Sequence, residues 1–435
     1  MNTSDESKLF QTDAQLAQKE AQSRKAVLTK TIGSPIQLAS RAIKLRVRGQ
    51  DAWVAESGWV VRRVCLHTGK TKRVYKGHQG PCTSLDFYQV TTGTSKRDLM
   101  VTGSWDKTIK VWDVESGEML SSTPAHTDFV KSLLVIPQLD ILLSGSSDKT
   151  IAIWSLSSLS SDASPNLPLT RLDQLKSHTR PVDSFALSHI DAEGRATVYA
   201  GDSMGVIRTW LFRRATGSSN ADANKVQVTQ GPDLPGHHTS ITRLIMDGDQ
   251  GLISCSMDSQ VLYHPLDQNQ DQTGKEATVR PALSIPNPLY PETTPVRSLL
   301  LLPSTFHPSH LLLCGAADQD IRVYDLSSTL ESASRSSHTH TAGEGRAKEV
   351  SRIKGHWADV IDLDVWVKEV EGGKKEAWVV SASLDETLRR WSMQDVLNPP
   401  PIPREEVVEK KESVMTAEEE RELAELMDSD IEDDV

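Results

Sequence analysis

Aromatic residues are scarce in this 435-residue chain, at 5% of the total, yet ten of its 22 aromatics are Trp. Such a skew excludes a generic aromatic core and points to one indole per repeated structural unit. Cysteine is scarcer still. Cys65, Cys82, Cys255 and Cys314 lie far apart and form no CxxC pair, which argues against a disulfide framework or a zinc site. They read as buried free thiols of a reducing compartment. No apolar run approaches the length of a membrane span, and the N-terminal MNTSDESKLFQTD lacks the apolar segment of a secretory signal. A soluble protein of the cytoplasm and/or nucleus, without membrane contact, is therefore expected. The chain also lacks net positive charge, at −11, but the deficit is local. Residues 404–435 hold fourteen acids and four bases, a net −10, so the rest of the chain stands at −1.

What the chain does have is repetition. Val101–Asp113, VTGSWDKTIKVWD, reads as strand, tight turn and strand. Related stretches follow as LLSGSSDKTIAIW (Leu142–Trp154), VYAGDSMGVIRTW (Val198–Trp210), LISCSMDSQVLYH (Leu252–His264), LLCGAADQDIRVY (Leu312–Tyr324) and VVSASLDETLRRW (Val379–Trp391). A His leads most units, at positions 78, 126, 178, 237 and 356. The last gap is twice the others, so it hides a unit without a His, whose Val296 aligns with Val130, Val182 and Val360. A divergent first unit, Ile36–Tyr75, holds four short strands at 42–47, 52–55, 59–66 and 72–75. The count is seven.

A Gly-His lead followed by a Trp-Asp exit resembles the WD-repeat β-propeller family. The resemblance covers about residues 26–396 and implies an all-β fold: a single seven-bladed propeller spanning 26–397. Residues 1–25 read as a flexible arm with a short helix, Asp13–Ala26. A strand within Ala26–Ile36 has no hairpin partner of its own and is expected to complete the last blade, closing the ring and removing its exposed edges. Residues 398–435 form a Pro-rich linker and an acidic tail, with a short helix at 416–427.

The resemblance implies a buried polar set in each well-preserved blade: His78, Thr102, Asp106 and Trp112; His126, Ser144, Asp148 and Trp154; His356, Ser381, Asp385 and Trp391. A buried Asp is costly unless several donors satisfy it, and a hydroxyl can take the indole N–H. His, Asp and Ser together imitate a hydrolase triad, but recurrence at the repeat period marks a structural device. In the fourth unit Met204 and Ala200 replace the Asp and Ser, so His178 is expected to lose its partners. In the fifth, His264 replaces the Trp. In the sixth, Cys314, Asp318 and Tyr324 stand without a leading His. Gly201–Gly205 matches the G-x-S-x-G elbow, but a strand follows it rather than a helix. No catalytic residue, metal site or cofactor is expected, and the protein is not read as an enzyme.

Binding features lie elsewhere. Between Arg41 and Lys76 ten bases, Arg41, Lys44, Arg46, Arg48, Arg62, Arg63, Lys70, Lys72, Arg73 and Lys76, face only Asp51 and Glu56. This patch is a candidate site for phosphate, an acidic partner or the chain's own acidic tail. In the tail, Thr416 and Glu419 form a capping box, Leu423, Leu426 and Met427 a narrow apolar stripe, and Ser429 among acids a candidate phosphosite. The inserts Ser157–Leu169, Arg213–Asp233, Asp267–Val279 and Ser327–Glu349 all follow a third strand. With the loops Val90–Asp98, His189–Ala196 and Lys368–Glu376, they fall on one face and leave the other compact. The expected function is a non-catalytic scaffold, a monomeric propeller that binds protein partners within a multiprotein complex. Trp210–Arg213 suggests an alternative, a substrate receptor of a cullin-RING ubiquitin ligase, although Leu211 replaces the usual Asp. Basic first unit and acidic tail together suggest another, an RNA-associated or ribosome-assembly factor.

Overall fold

The computed structural model describes residues 13–92, 95–160, 167–191, 194–214, 226–234, 236–266, 294–307, 309–327, 347–370 and 374–403. Seven antiparallel sheets, or blades, form a closed ring. Each is a meander running outward from an innermost strand. Six sheets have four strands; the fifth blade, Ile241–Asp247, Gly251–Ser256 and Val261–Pro265, has three among the described residues.

The second strand of each blade is sandwiched between neighbouring blades, which explains its apolar or small composition. Ile141–Ser146, Gly251–Ser256 and Leu311–Ala316 are buried at every position. Strands buried on both faces read as continuous rather than alternating apolar runs. The core therefore lies between blades. One cluster joins Leu99 and Val101 of blade 2 to Leu133 and Trp154 of blade 3. Another joins Leu45 and Val54 of blade 1 to Trp366 and Leu388 of blade 7.

Innermost strands of adjacent blades lack a backbone ladder, and side chains bridge them instead. Asp86 Oδ2 accepts from the Val135 N–H at 2.8 Å, and Ser184 Oγ from the Leu244 N–H at 3.0 Å. The blade 7 to blade 1 junction carries two such bridges: Asp362 Oδ2 from the Leu45 N–H at 2.9 Å and Asp364 Oδ2 from the Val47 N–H at 2.7 Å.

The ring closes through the N-terminal segment, at a different place than the sequence suggests. Asp13–Leu28 is helical, so Ala26–Leu28 ends a helix instead of beginning a strand. The closing strand is only Ile36–Gln37, paired with Leu388 and Thr387, and Ile36 thus belongs to blade 7, not blade 1. Its anchorage comes from outside the ladder. The fully buried Arg389 guanidinium donates to the Thr29 carbonyl at 2.7 Å and also reaches the Ile32 carbonyl. Gly33, at φ 71°, lies against the Trp391 ring where a Cβ would collide.

Three stretches read as loops carry strand at both of their ends. Cys82–Thr92 pairs with Ser95–Ser104 out to Thr92 opposite Ser95. Val182–Ile190 with Arg195–Asp202, and Val360–Glu369 with Lys375–Ser383, extend likewise. β-Branched residues such as Val90, Thr91, Val367 and Thr197 favour continuing the hairpins. The acidic tail, with Ser429 and the stretch 416–427, lies outside the described residues.

Candidate functional site

Every blade turns between its second and third strands through one residue in the left-handed region: Trp59, Lys107, Lys149, Gly205, Ser259, Gln319 and Glu386, at φ 63° to 87°. This shared turn places the polar sets. In blade 2, Asp106 precedes the left-handed Lys107. Its Oδ2 accepts from His78 Nδ1 at 2.8 Å and the Gln79 N–H at 2.9 Å. Its Oδ1 accepts from the Thr108 N–H at 2.9 Å and the Thr108 hydroxyl at 2.6 Å. His78 Nε2 meets Thr102 Oγ1 at 2.8 Å, and that hydroxyl also accepts from Trp112 Nε1 at 2.8 Å.

Blades 3 and 7 repeat the arrangement. His126 lies 2.9 Å from Asp148 and 2.7 Å from Ser144, which accepts from Trp154 Nε1 at 2.8 Å. His356 lies 2.7 Å from both Asp385 and Ser381, with Trp391 Nε1 at 2.9 Å from Ser381. Sequence reasoning missed one member, the threonine two places after each Asp. Thr108, Thr150 and Thr387 each donate to the carboxylate at 2.6 Å. Its signal was the recurrence of Asp-Lys-Thr and Asp-Glu-Thr.

The order carboxylate, Nδ1, Nε2, hydroxyl is that of a hydrolase triad. Here the hydroxyls of Thr102, Ser144 and Ser381 are wholly buried and carry an indole N–H. A hydroxyl so covered is out of a substrate's reach. Burial alone would raise the Asp385 pKa, but the His356 and Thr387 contacts outweigh it and hold it at about 2. Asp106 and Asp148 are likewise held below the usual carboxylate range by their His and Thr partners. Burial lowers the His356 pKa from its ordinary value, against the opposing pull of the Asp385 charge.

The weaker blades depart in specific ways. His178 keeps a partner, contrary to expectation. Asp202, two residues ahead of the usual place, accepts from its Nδ1 at 3.3 Å and from the Met204 and Val206 N–H groups. With Ala200 in place of a hydroxyl, His178 Nε2 and Trp210 Nε1 are left without partners. In blade 5, His237 reaches Asp258 at 3.2 Å and Ser254 at 2.8 Å, and His264 substitutes for the indole at 3.0 Å from Ser254. In blade 6, Asp318 is paired with Arg322. Gly201–Gly205 runs from the end of strand Arg195–Asp202 through a hairpin turn to strand Ile207–Arg214, with no helix after it.

The ten bases of blade 1 do not form one open surface. Ala42–Arg48 is the blade's innermost strand, not an outer one. Lys44 pairs with Asp362 at 3.2 Å. Half-buried Arg46 stands near Asp86, Asp364 and Asp362, whose charges raise its pKa against the opposing effect of burial. Arg48 pairs with Asp98 at 3.5 Å and lies over the Phe87 ring. Arg62 is paired with Glu56. Arg63 and Lys72 share Asp51 at 2.7 and 2.6 Å. Arg73 donates to the Ser116 carbonyl. Arg41, Lys70 and Lys76 remain exposed, with no carboxylate partner among the described residues.

On the face that carries the shared turns, the solvent meets apolar side chains. Trp59 is 53% exposed, Trp105 43%, Phe129 37% and Met204 51%. Trp105 and Phe129 stack at 5.0 Å and 18°. These residues lie in turns, outside the strand positions that the repeat pattern explains. Among the described residues no helix is long and apolar enough to cross a membrane, and no cluster of three potential metal ligands occurs.

A family model described as WD domain, G-beta repeat, matches residues 69–113 and 117–155. An uncharacterised WD repeat-containing protein of Schizosaccharomyces pombe is 23% identical over 381 residues, which cover 86% of this chain and 84% of that protein. WD repeat-containing protein 1 of Xenopus tropicalis is 26% identical over 217 residues, 49% of this chain and 32% of that protein. The match therefore spans about a third of that relative's length. Among solved structures, the computationally designed protein Ika8 aligns with a TM-score of 0.47 at 19% identity, over 82% of this chain and 98% of that one.

Proposed function

We propose that this chain, which belongs to the WD-repeat β-propellers, is a non-catalytic scaffold that holds protein partners within a larger complex. One observation carries the reading. The chemically capable side chains of the His–Asp–hydroxyl sets are buried and bonded to one another, whereas the turn face exposes Trp59, Trp105 and Phe129. Aromatic residues are enriched among the anchors of protein interfaces. The test is affinity purification of the full chain, of a chain lacking residues 404–435, and of Trp105→Ala. A stable set of co-purifying proteins supports the scaffold, and its absence in all three contradicts it.

The ubiquitin-ligase reading has one favourable observation: Arg213 is exposed on Ile207–Arg214, where its guanidinium donates to Gln227 at 2.9 Å. A cullin adaptor recovered with the wild-type chain and lost in Arg213→Ala would support it. The RNA reading is weakened, because the blade 1 cations that would meet phosphates are largely paired with carboxylates.

A further inference from the structure

We propose that the run from Trp59 through the loop 77–81 to Trp105 and Phe129 is a docking site for an acidic linear peptide carrying apolar anchor residues. This rests on the scaffold reading and names the partner chemistry of its exposed face. The run is continuous. Val60, next to Trp59, pairs with Lys76 at the start of the loop. The Trp105 N–H donates to the Pro81 carbonyl at its end, and Trp105 stacks on Phe129.

Folding does not account for these side chains. Trp59 occupies the left-handed turn position at φ 67°, where the other blades use Lys, Gly, Ser, Gln or Glu. A bulky aromatic is strained in that region, and half its surface stays in water. The place of Trp105 is taken in the other blades by Ser57, Ser147, Ser203, Met257, Ala317 and Leu384. Backbone strain and exposed apolar surface persist together where a partner uses them.

The charge around the run selects the partner. Arg41, Lys76, Lys107 and Lys149 are exposed on blades 1 to 3, with no carboxylate partner among the described residues. The acids of the same turns make their contacts within their own blades. Glu56 holds Arg62, Asp106 and Asp148 accept from their own blades, and Asp128 Oδ1 accepts from the Phe129 N–H. Asp183 pairs with Lys131 at 3.5 Å and accepts from the Ser240 hydroxyl at 3.0 Å. Single-stranded RNA fits less well, because it needs open ring faces along a basic groove. Trp105 and Phe129 cover one face of each other, leaving an apolar flank that suits a Leu, Met or aromatic anchor.

The experiment pans a display library of random dodecamers on the full chain and measures the selected peptides by fluorescence anisotropy. Enriched sequences should combine Asp or Glu with large apolar residues. Their affinity should fall roughly tenfold or more in Trp105→Ala and in Phe129→Ala. Lys107→Glu, a residue already found at that turn position as Glu386, should weaken binding and flatten its salt dependence. Trp59→Gly should weaken binding while raising thermal stability, a pair of effects that a purely structural Trp59 would not give. Failure to enrich any peptide, selection of neutral or basic peptides, or full affinity in Trp105→Ala would each overturn the site. So would tighter, Trp105-dependent binding of an oligouridine. Cellular partners that persist in Trp105→Ala would leave the scaffold standing without this site. Recovery of no partner by any form of the chain would remove the scaffold reading itself.

Discussion

Asp106 accepts four hydrogen bonds, two at each carboxylate oxygen. Removing the carboxylate takes the acceptor from the buried His78 imidazole and from Thr108. Asp106→Ala should therefore destabilise the fold by about 1–3 kcal/mol in chemical denaturation. An unchanged midpoint would contradict the role assigned to it. Blade 4 offers the reverse experiment. Ala200 sits where Thr102 and Ser144 bridge imidazole and indole, and its lack of a hydroxyl leaves His178 Nε2 and Trp210 Nε1 unpaired. Ala200→Ser should raise stability by about 1 kcal/mol, because the added hydroxyl meets two waiting polar atoms. No gain in the unfolding midpoint would show that this site is already satisfied by other means.

At the scale of elements, blades are strong units joined by thinner seams. Within a blade the ladder supplies regular backbone hydrogen bonds. Between innermost strands the links are single side chains such as Asp86, Ser184, Asp362 and Asp364. The last seam is closed by a two-residue strand backed by the Arg389 contacts to the preceding backbone. Deleting residues 1–38 would free the edge of Thr387–Ser392 and leave Arg389 without its carbonyl partners. Exposed strand edges template association. The truncated chain should self-associate in size-exclusion chromatography and unfold with lower cooperativity. A monomer with the full-length unfolding profile would show that closure does not depend on this segment.

For the whole molecule, buried histidines couple folding to acidity. Burial, with the nearby His237 charge adding to it, lowers the His264 pKa to about 4, against about 6.5 for a free imidazole. Between those values the unfolded chain binds a proton that the folded chain does not. Stability is therefore complete above pH about 6.5 and is lost as pH falls toward 4. Full titration of this group costs about 3 kcal/mol. His237 and His356 are shifted in the same direction by burial. Asp385, lowered to about 2, adds a second loss between pH about 4 and 2, because its folded form resists protonation. His264→Trp, which restores the residue found at Trp112 and Trp154, should make stability decline less steeply between pH 6.5 and 4. An identical pH profile would show that His264 does not set it.

The repeat period by itself determined the ring of seven blades, because strand, turn and strand are local and each unit carries its own copy. The polar sets of blades 2, 3 and 7 were legible for the same reason: their members sit at fixed offsets within one blade. What crosses between blades was not legible. The bases of blade 1 meet carboxylates of blade 7 as distant in sequence as Asp362 and Asp364. Such pairings depend on which strands the closed ring brings side by side, and no local pattern encodes that. The same holds for the exposed run of Trp59, Trp105 and Phe129. In sequence these are isolated aromatics in three separate turns. Only the stacking of neighbouring blades places them on one surface, where water rather than the core meets them.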